Sequence, residues 1–390
     1  MLSERINKME ESLTLAMTQK ARELKAAGRD VLSFSAGEPD FDTPEVVKEA
    51  AIAAIREGFG KYTAVAGIPE LLEAVAGKLK RENNLVYPAK NIVVSNGAKH
   101  SLFNLFAVMV NHGDEVIVPT PAWVSYPEMV NYHGGKPVYV RTRAENNFKM
   151  TAAELKTAIT PKTKILMLNS PSNPTGSVYS REEYEALGEV LKGTNIWVFS
   201  DEMYEKLVYG DTKFTALAAV SEDLYKRTIT INGLSKSVAM TGWRMGYFAS
   251  PDASIVAAVN KLQSQSTTNI CSIVQKASIP ALDGRADEAI EAMRKVFEKR
   301  KNRAVEKLSA IDGLKVINPG GAFYLFVSCE AIEPDSMKFC LRLLEEAGVA
   351  TVPGVGFEQE GYFRMSFATD EQTIEKGIAK IGEFVRGYRR

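Results

Sequence analysis

The chain has 390 residues, enough for two subdomains that each bury a core. Its 48 Lys plus Arg balance 48 Asp plus Glu, so no charge excess points to nucleic acid or an anionic membrane as a partner. Three cysteines without a CxxC pair, a charged start (MLSERINKMEES) and apolar runs as short as SLFNLFAVMV argue against a disulfide framework, a secretory signal and a membrane span, and so for a cytoplasmic protein.

In chain order, a first helix is expected over about residues 4–27. Seven short, mostly β-branched runs follow: NIVVS (91–95), EVIVP (115–119), PVYV (137–140), KILMLN (164–169), IWVFS (196–200), TITIN (228–232) and GYFA (246–249). Helical patterns such as REEYEALGEVLK lie between most of them. Near-continuous apolar strands alternating with helices predict an α/β fold, with a mostly parallel mixed sheet of about seven strands covered on both faces. A long charged helix is expected over 285–311, with Ile290, Met293, Val296, Phe297, Val305 and Leu308 as its apolar stripe. After it, LKVIN, AFYLFV, DSMKFCLRLLEEAG and YFRMSFA read as strands and one helix of a smaller α+β unit. The predicted division is a large domain over 37–284 and a small one built from 1–36 and 285–390.

Ligands of such sheets bind beyond the carboxyl ends of the strands. Polar and unusual residues gather there: Asn96-Gly97, Pro119 to Trp123, Ser170 to Gly176, Asp201 and Asn232 to Lys236. Together they suit a ligand with an aldehyde, a pyridine nitrogen, a phenolic oxygen and a phosphate. Lys236, directly after TITIN, is a desolvated amine able to condense with the aldehyde. Asp201 can hold the ring nitrogen protonated, and Tyr204 and Asn173 can reach the phenolic oxygen. The N–H groups of Gly97, Ala98 and Lys99 open a helix toward an anion, with Ser235 and the guanidinium fork of Arg244 beside them, while Trp123 can stack on the ring. Each has an ordinary explanation when taken alone. Lys236 could be a lysine snorkelling at a strand end, Asp201 a helix cap, Asn173 part of a turn, Trp123 core filling and Arg244 a surface cation. Their coincidence at the strand ends of one sheet is the argument for a site.

The segments SAGEPDFDTP, KYTAVAGIPELLEAV, NGAKHSLF, PAWVSYPEM, NSPSNPTG, SDEMYEKLVY, LSKSVAMTGWRMGY and FRMSFAT resemble the class I, fold-type-I pyridoxal-phosphate aminotransferases, and among them the bacterial aspartate aminotransferase subgroup Ib. The resemblance runs from about residue 3 to the C-terminus. It implies pyridoxal 5'-phosphate on Lys236, Asp201 at the ring nitrogen, Tyr204 and Asn173 at the phenolic oxygen, and Gly97 to Lys99, Ser235 and Arg244 at the phosphate. It implies a homodimer with shared sites, Tyr62 reaching the neighbour's phosphate. Arg364 would clamp the substrate α-carboxylate with help from Gly37, Trp123 and Asn173; Lys99 is also a candidate for the distal carboxylate, and Ser12 for the substrate side chain. The implied reaction moves an amino group between L-aspartate or L-glutamate and 2-oxoglutarate or oxaloacetate. The alternatives are aromatic, alanine or prephenate specificity, and a β-lyase. Two departures stand out. Gly233 occupies a position often held by a phosphate-binding serine, and Glu10 and Glu11 stand where prephenate-accepting relatives carry a lysine before a Pro-Ser step. A nicotinamide site finds only PGVGFEQEG, which lacks the strand-then-helix setting, and His100, His112 and His133 lack a metal-ligand spacing.

Overall fold

All seven β-branched runs become strands of a single sheet in the computed structural model, which describes residues 2–7, 9–10 and 13–388. Across the sheet they lie in the order Ile92–Asn96, Met245–Ala249, Thr228–Gly233, Trp197–Asp201, Thr163–Asn169, Glu115–Thr120 and Lys136–Arg141. Only Met245–Ala249 runs antiparallel to its neighbours; the other pairings are parallel. Side chains alternate between the two faces, as a period of two demands. Val116, Val118, Ile165 and Met167 join the core under the helix Ala98–Met109, whereas Ile117, Leu166 and Val198 pack with Tyr184 and Leu187 of the helix Arg181–Leu191. That second helix starts where Ser180 and Glu183 cap each other's backbone N–H, a capping box written into the sequence SREE.

Five of the seven strands end one residue later than expected, and the extension matters. Asn96 and Asp201 are the last residues of their strands rather than the first residues beyond them. Their direction is therefore set by the sheet ladder and not by a loop.

The later part of the chain builds an antiparallel four-stranded sheet in the order Val352–Pro353, Tyr362–Ser366, Tyr324–Ser328 and Lys315–Val316. The helix Asp287–Ser309 crosses beside it, burying Ile290, Met293, Phe297 and Leu308 as the stripe predicts. Val296 and Val305 are only half-buried. The stripe is instead completed by Ala304 and by two cations, Arg300 and Lys301. Arg300 is admitted because Asp40 meets it with two parallel bonds of 2.7 and 2.9 Å and because the rings of Phe41 and Phe297 face its guanidinium.

The expected first helix is two helices, Glu4–Asn7 and Leu13–Ala26. In an unbroken helix the Glu10 N–H would bond to the Ile6 carbonyl. That carbonyl takes the Met9 N–H instead, and the Glu10 N–H donates to Glu128 Oε2 at 3.0 Å. Met17 and Ala21 of the second helix join the core that also contains Tyr324 and Phe363. Among the described residues no helix is long and apolar enough to cross a membrane, and no group of His, Cys, Asp and Glu is arranged to hold a metal ion.

Glu202, next to Asp201, is 1% exposed. Its Oε1 accepts from Ser200 Oγ at 3.0 Å, and its Oε2 has no partner. Burial first, then the nearby Glu205, pushes its carboxyl up to about 8. A raised acid holds a proton in the folded state that the unfolded chain has already released, so stability falls as pH rises from the usual 4.5 toward 8. Glu202→Gln, uncharged at every pH, is expected to melt above the parent at pH 8, with little difference near pH 4.5. Melting curves of both proteins across that range check it, and a difference independent of pH would exclude a buried proton on Glu202.

Candidate active site

The carboxyl ends of the strands open onto a cavity of about 290 Å³. Eleven of the residues singled out in the sequence line it: Gly37, Ala98, Lys99, Trp123, Asn173, Asp201, Tyr204, Ser235, Lys236, Arg244 and Arg364.

Lys236 lies in the turn after the strand Thr228–Gly233, and its Nζ donates to the Gly37 carbonyl. Desolvation lowers the amine to about 8, aided by the positive charges of Arg364, Arg244 and Lys99 and opposed by Glu38. Asp201 is 6% exposed. Burial raises its carboxyl to about 6 even though Tyr126 Oη donates to Oδ2 at 2.7 Å and the Met203 N–H to Oδ1 at 3.2 Å. A cation placed against this carboxylate would therefore be favoured by both charge and low dielectric.

Arg364 projects from the strand Tyr362–Ser366 and is 2% exposed. Its Nη1 donates to Asn173 Oδ1 at 2.9 Å and its Nη2 to the Ser35 carbonyl at 2.8 Å, while Nε has no partner. The faces of Tyr324 and Phe357 lie 4.3 and 5.2 Å from the guanidinium carbon. Among the described residues no carboxylate forms an ion pair with it. Asn173 is held in turn by Asn169, whose Oδ1 accepts the Asn173 N–H at 2.8 Å and whose Nδ2 donates to the Asp201 carbonyl at 2.9 Å. Arg364 and the backbone of Asp201 are thus tied together through two asparagines.

At the helix Ala98–Met109, the sequence expectation is corrected in one detail. The Gly97 N–H is not free, because it donates to the Ser95 carbonyl at 2.7 Å. The N–H groups of Ala98 and Lys99 have no acceptor among the described residues. Gly97 serves through its missing side chain: at φ +81°, a Cβ there would come within 2.3 Å of Arg244 Nη2. Arg244 itself is held at φ +61°, a left-handed conformation that costs a non-glycine residue about 1 kcal/mol. Two of its donors go to the Thr241 and Asn96 carbonyls, at 2.9 and 3.3 Å, which aims the fork at the helix start. The residue is exposed overall but lines the cavity. Gly233 cannot be a serine here, since a Cβ would lie 2.8 Å from the Met245 carbonyl oxygen. The hydroxyl on this side of the cavity comes from Ser235.

Lys99 Nζ lies 4.7 Å from the centre of the Trp123 ring, and burial together with Arg244 lowers its pKa. Tyr62 is 89% exposed and does not line the cavity. Ser12 and Glu11 fall outside the described residues.

Sequence reasoning missed Tyr126 and Tyr324. Tyr126 sits three residues after Trp123 on the helix Ser125–Tyr132, so the strand-end rule that found Trp123 could have reached it. Tyr324 starts a fully buried strand and carries no signal that separates it from core.

The fold places at the carboxyl edge of an α/β sheet a cavity whose described lining includes two desolvated lysines, Lys99 and Lys236, two arginines and the buried carboxylate of Asp201. The sequence profile of the family Aminotransferase class I and II matches residues 29–381, and the chain belongs to that family. It is 47% identical to the aspartate aminotransferase of Bacillus sp. (strain YM-2), the match covering 99% of each chain. It is also 47% identical to a Rhizobium leguminosarum bv. phaseoli protein named "Probable aspartate/prephenate aminotransferase", covering 98% of each. The Thermus thermophilus aspartate aminotransferase solved with maleate superposes with a TM-score of 0.95 at 43% identity, over 98% of this chain and 99% of that one. The chain is accordingly a transaminase that uses pyridoxal 5'-phosphate.

Proposed function

We propose that the enzyme moves the amino group between L-aspartate or L-glutamate and the matching oxo acids, 2-oxoglutarate and oxaloacetate. One observation carries this reading: among the described residues, the cavity is lined by four cationic side chains, Lys99, Lys236, Arg244 and Arg364, against a single carboxylate, Asp201. A phosphate and a dicarboxylate would supply the missing negative charge. The maleate in the Thermus thermophilus relative, a four-carbon dicarboxylate, supports the same substrate class.

The residues suit pyridoxal phosphate group by group. Lys236 meets the aldehyde, Asp201 the ring nitrogen, Tyr204 and Asn173 the phenolic oxygen. The Ala98 and Lys99 N–H groups, Ser235 and Arg244 meet the phosphate, and Trp123 the ring face. When bound, the cofactor supplies an electron sink for the charge left on the substrate α-carbon. Arg364, helped by Asn173 and Gly37, orients the α-carboxylate. Lys236 Nζ, with its pKa lowered to about 8, accepts the α-proton. Asp201, kept ionised by the cationic ring nitrogen, holds the proton there. Lys99 faces the distal carboxylate, with Ser12 as a further candidate at the substrate side chain.

The same reading includes a cytoplasmic homodimer in which Tyr62 reaches the neighbour's phosphate, consistent with its exposure here. It also includes a large domain over 37–284 and a small domain of 1–36 and 285–390. The four-stranded sheet built within 315–366 and the pairing of Leu32–Ser33 with Val349–Ala350 support that division. Prephenate as an amino acceptor rests on the name of the Rhizobium relative, and Glu10 argues against it.

The test is a half-reaction. Holoprotein mixed with L-aspartate alone is expected to lose its visible band and release one equivalent of oxaloacetate per site; no release would refute the reading. Prephenate and cysteine conjugates in parallel assays separate the prephenate and β-lyase alternatives. Lys99→Ala is expected to lower kcat/KM for aspartate by about 10- to 100-fold while sparing alanine. An equal loss for both would place Lys99 at the phosphate only.

A further inference from the structure

We propose that Tyr324 is a positioning residue that donates its hydroxyl proton to Tyr204, so that the single Tyr204 proton points into the cavity, and that its ring links this donor to the carboxylate clamp. The inference rests on the reading above that Tyr204 serves the phenolic oxygen of the cofactor.

The Tyr324 and Tyr204 hydroxyls lie 2.9 Å apart, both buried. Between them they hold two protons and one mutual hydrogen bond, and each hydroxyl donates once. If Tyr204 gave its proton to Tyr324, nothing would be left for a ligand in the cavity. If Tyr324 gives, Tyr204 is fixed as a donor with its lone pair already occupied.

One feature favours the second polarity, and two more put Tyr324 in place for it. The Tyr324 ring lies 4.3 Å from the Arg364 guanidinium carbon, and a cation over the ring face makes the phenol a stronger donor. The strand register places it there: Tyr324 pairs with Ser366, so Arg364, two residues before, is its diagonal neighbour on the same face. Gly37 makes room for the hydroxyl, since a Cβ at that position would lie 2.8 Å from Tyr324 Oη. A carboxylate arriving on Arg364 would offset the cation over the ring. Occupancy of the clamp would thereby be felt at Tyr204 with no side chain moving.

Tyr324→Phe keeps the ring and its stack and removes only the hydroxyl. The readout is the pH midpoint of the visible band of the holoenzyme. A donor at the phenolic oxygen withdraws electron density and lowers the proton affinity of the neighbouring linkage nitrogen, so losing it raises the midpoint. Tyr204→Phe is expected to raise the midpoint most, and Tyr324→Phe to raise it by about half a unit to one unit. The double variant should match Tyr204→Phe. For Tyr324→Phe, KM for aspartate should stay within about twofold while kcat falls, because the stack on Arg364 survives. Cofactor stoichiometry and melting temperature verify that the variant is folded and loaded. A midpoint unmoved in Tyr324→Phe but moved in Tyr204→Phe overturns the inference, as do additive shifts in the double variant. A midpoint unmoved in Tyr204→Phe removes the assignment of Tyr204 itself, and this inference with it.

Discussion

Lys236→Ala is expected to abolish the visible band of the lysine-linked cofactor and to lower kcat by about 10²- to 10⁴-fold, the scale of a lost general base. The phosphate contacts proposed for Ala98, Ser235 and Arg244 do not depend on the lysine, so the variant should still bind the cofactor, and spectra together with cofactor stoichiometry separate the two effects. A normal visible band in the variant would remove Lys236 from its assigned role. The apo protein offers a second, independent reading. Desolvation lowers the Lys236 amine from 10.5 to about 8, so below pH 8 the fold carries a charged amine that it disfavours. That penalty fades as pH rises from 8 to 10.5, where the folded protein releases a proton that the unfolded chain still holds. Lys236→Met, which keeps the apolar stem, should therefore melt above the apo parent at pH 7, with the difference shrinking toward pH 10.5. Equal melting at both pH values would mean that the amine is solvated and its reactivity unexplained.

The sheet was readable because burial on both faces leaves almost no choice of residue. Seven β-branched runs in the sequence are seven strands in the structure, displaced by no more than two residues. The first helix was misjudged for the opposite reason. Where the two helices part, the Glu10 N–H donates to Glu128, more than a hundred residues away, and no local pattern encodes that contact. The long helix shows the same limit: Arg300 looks like a solvent residue until Asp40 is brought to it. In the site, residues with distinctive chemistry at strand ends were visible, such as Lys236, Asp201 and the Gly97–Lys99 helix start. Those that act through a neighbour were not. Tyr126 matters because Asp201 is buried beside it, and Tyr324 because Arg364 and Tyr204 are. The Gly233 departure is the reverse case: the sequence posed it as a lost phosphate ligand, and the strand pairing explains it as a position without space.

Arg364 carries the other large effect. A guanidinium 2% exposed, with its Nε unpartnered and no counter-ion among the described residues, is costly to hold. Its cation lies against the faces of Tyr324 and Phe357, which offset only part of the lost hydration. Such an arrangement stores binding energy for an incoming carboxylate, which would complete the charge pair and reach the free Nε. Arg364→Met is expected to lower kcat/KM by about 10²- to 10³-fold for amino acids and oxo acids alike, because both classes present the α-carboxylate. Lys99→Ala should instead discriminate by the distal group, so the two variants together map which end of the substrate lies where. The apo form of Arg364→Met should melt no lower than the parent, since an apolar side chain of similar length relieves an unpaired buried charge. Loss of activity at undiminished stability is the signature of a residue kept for its ligand. A large fall in melting temperature would identify Arg364 as structural, and unchanged kinetics toward both substrate classes would exclude it as the clamp.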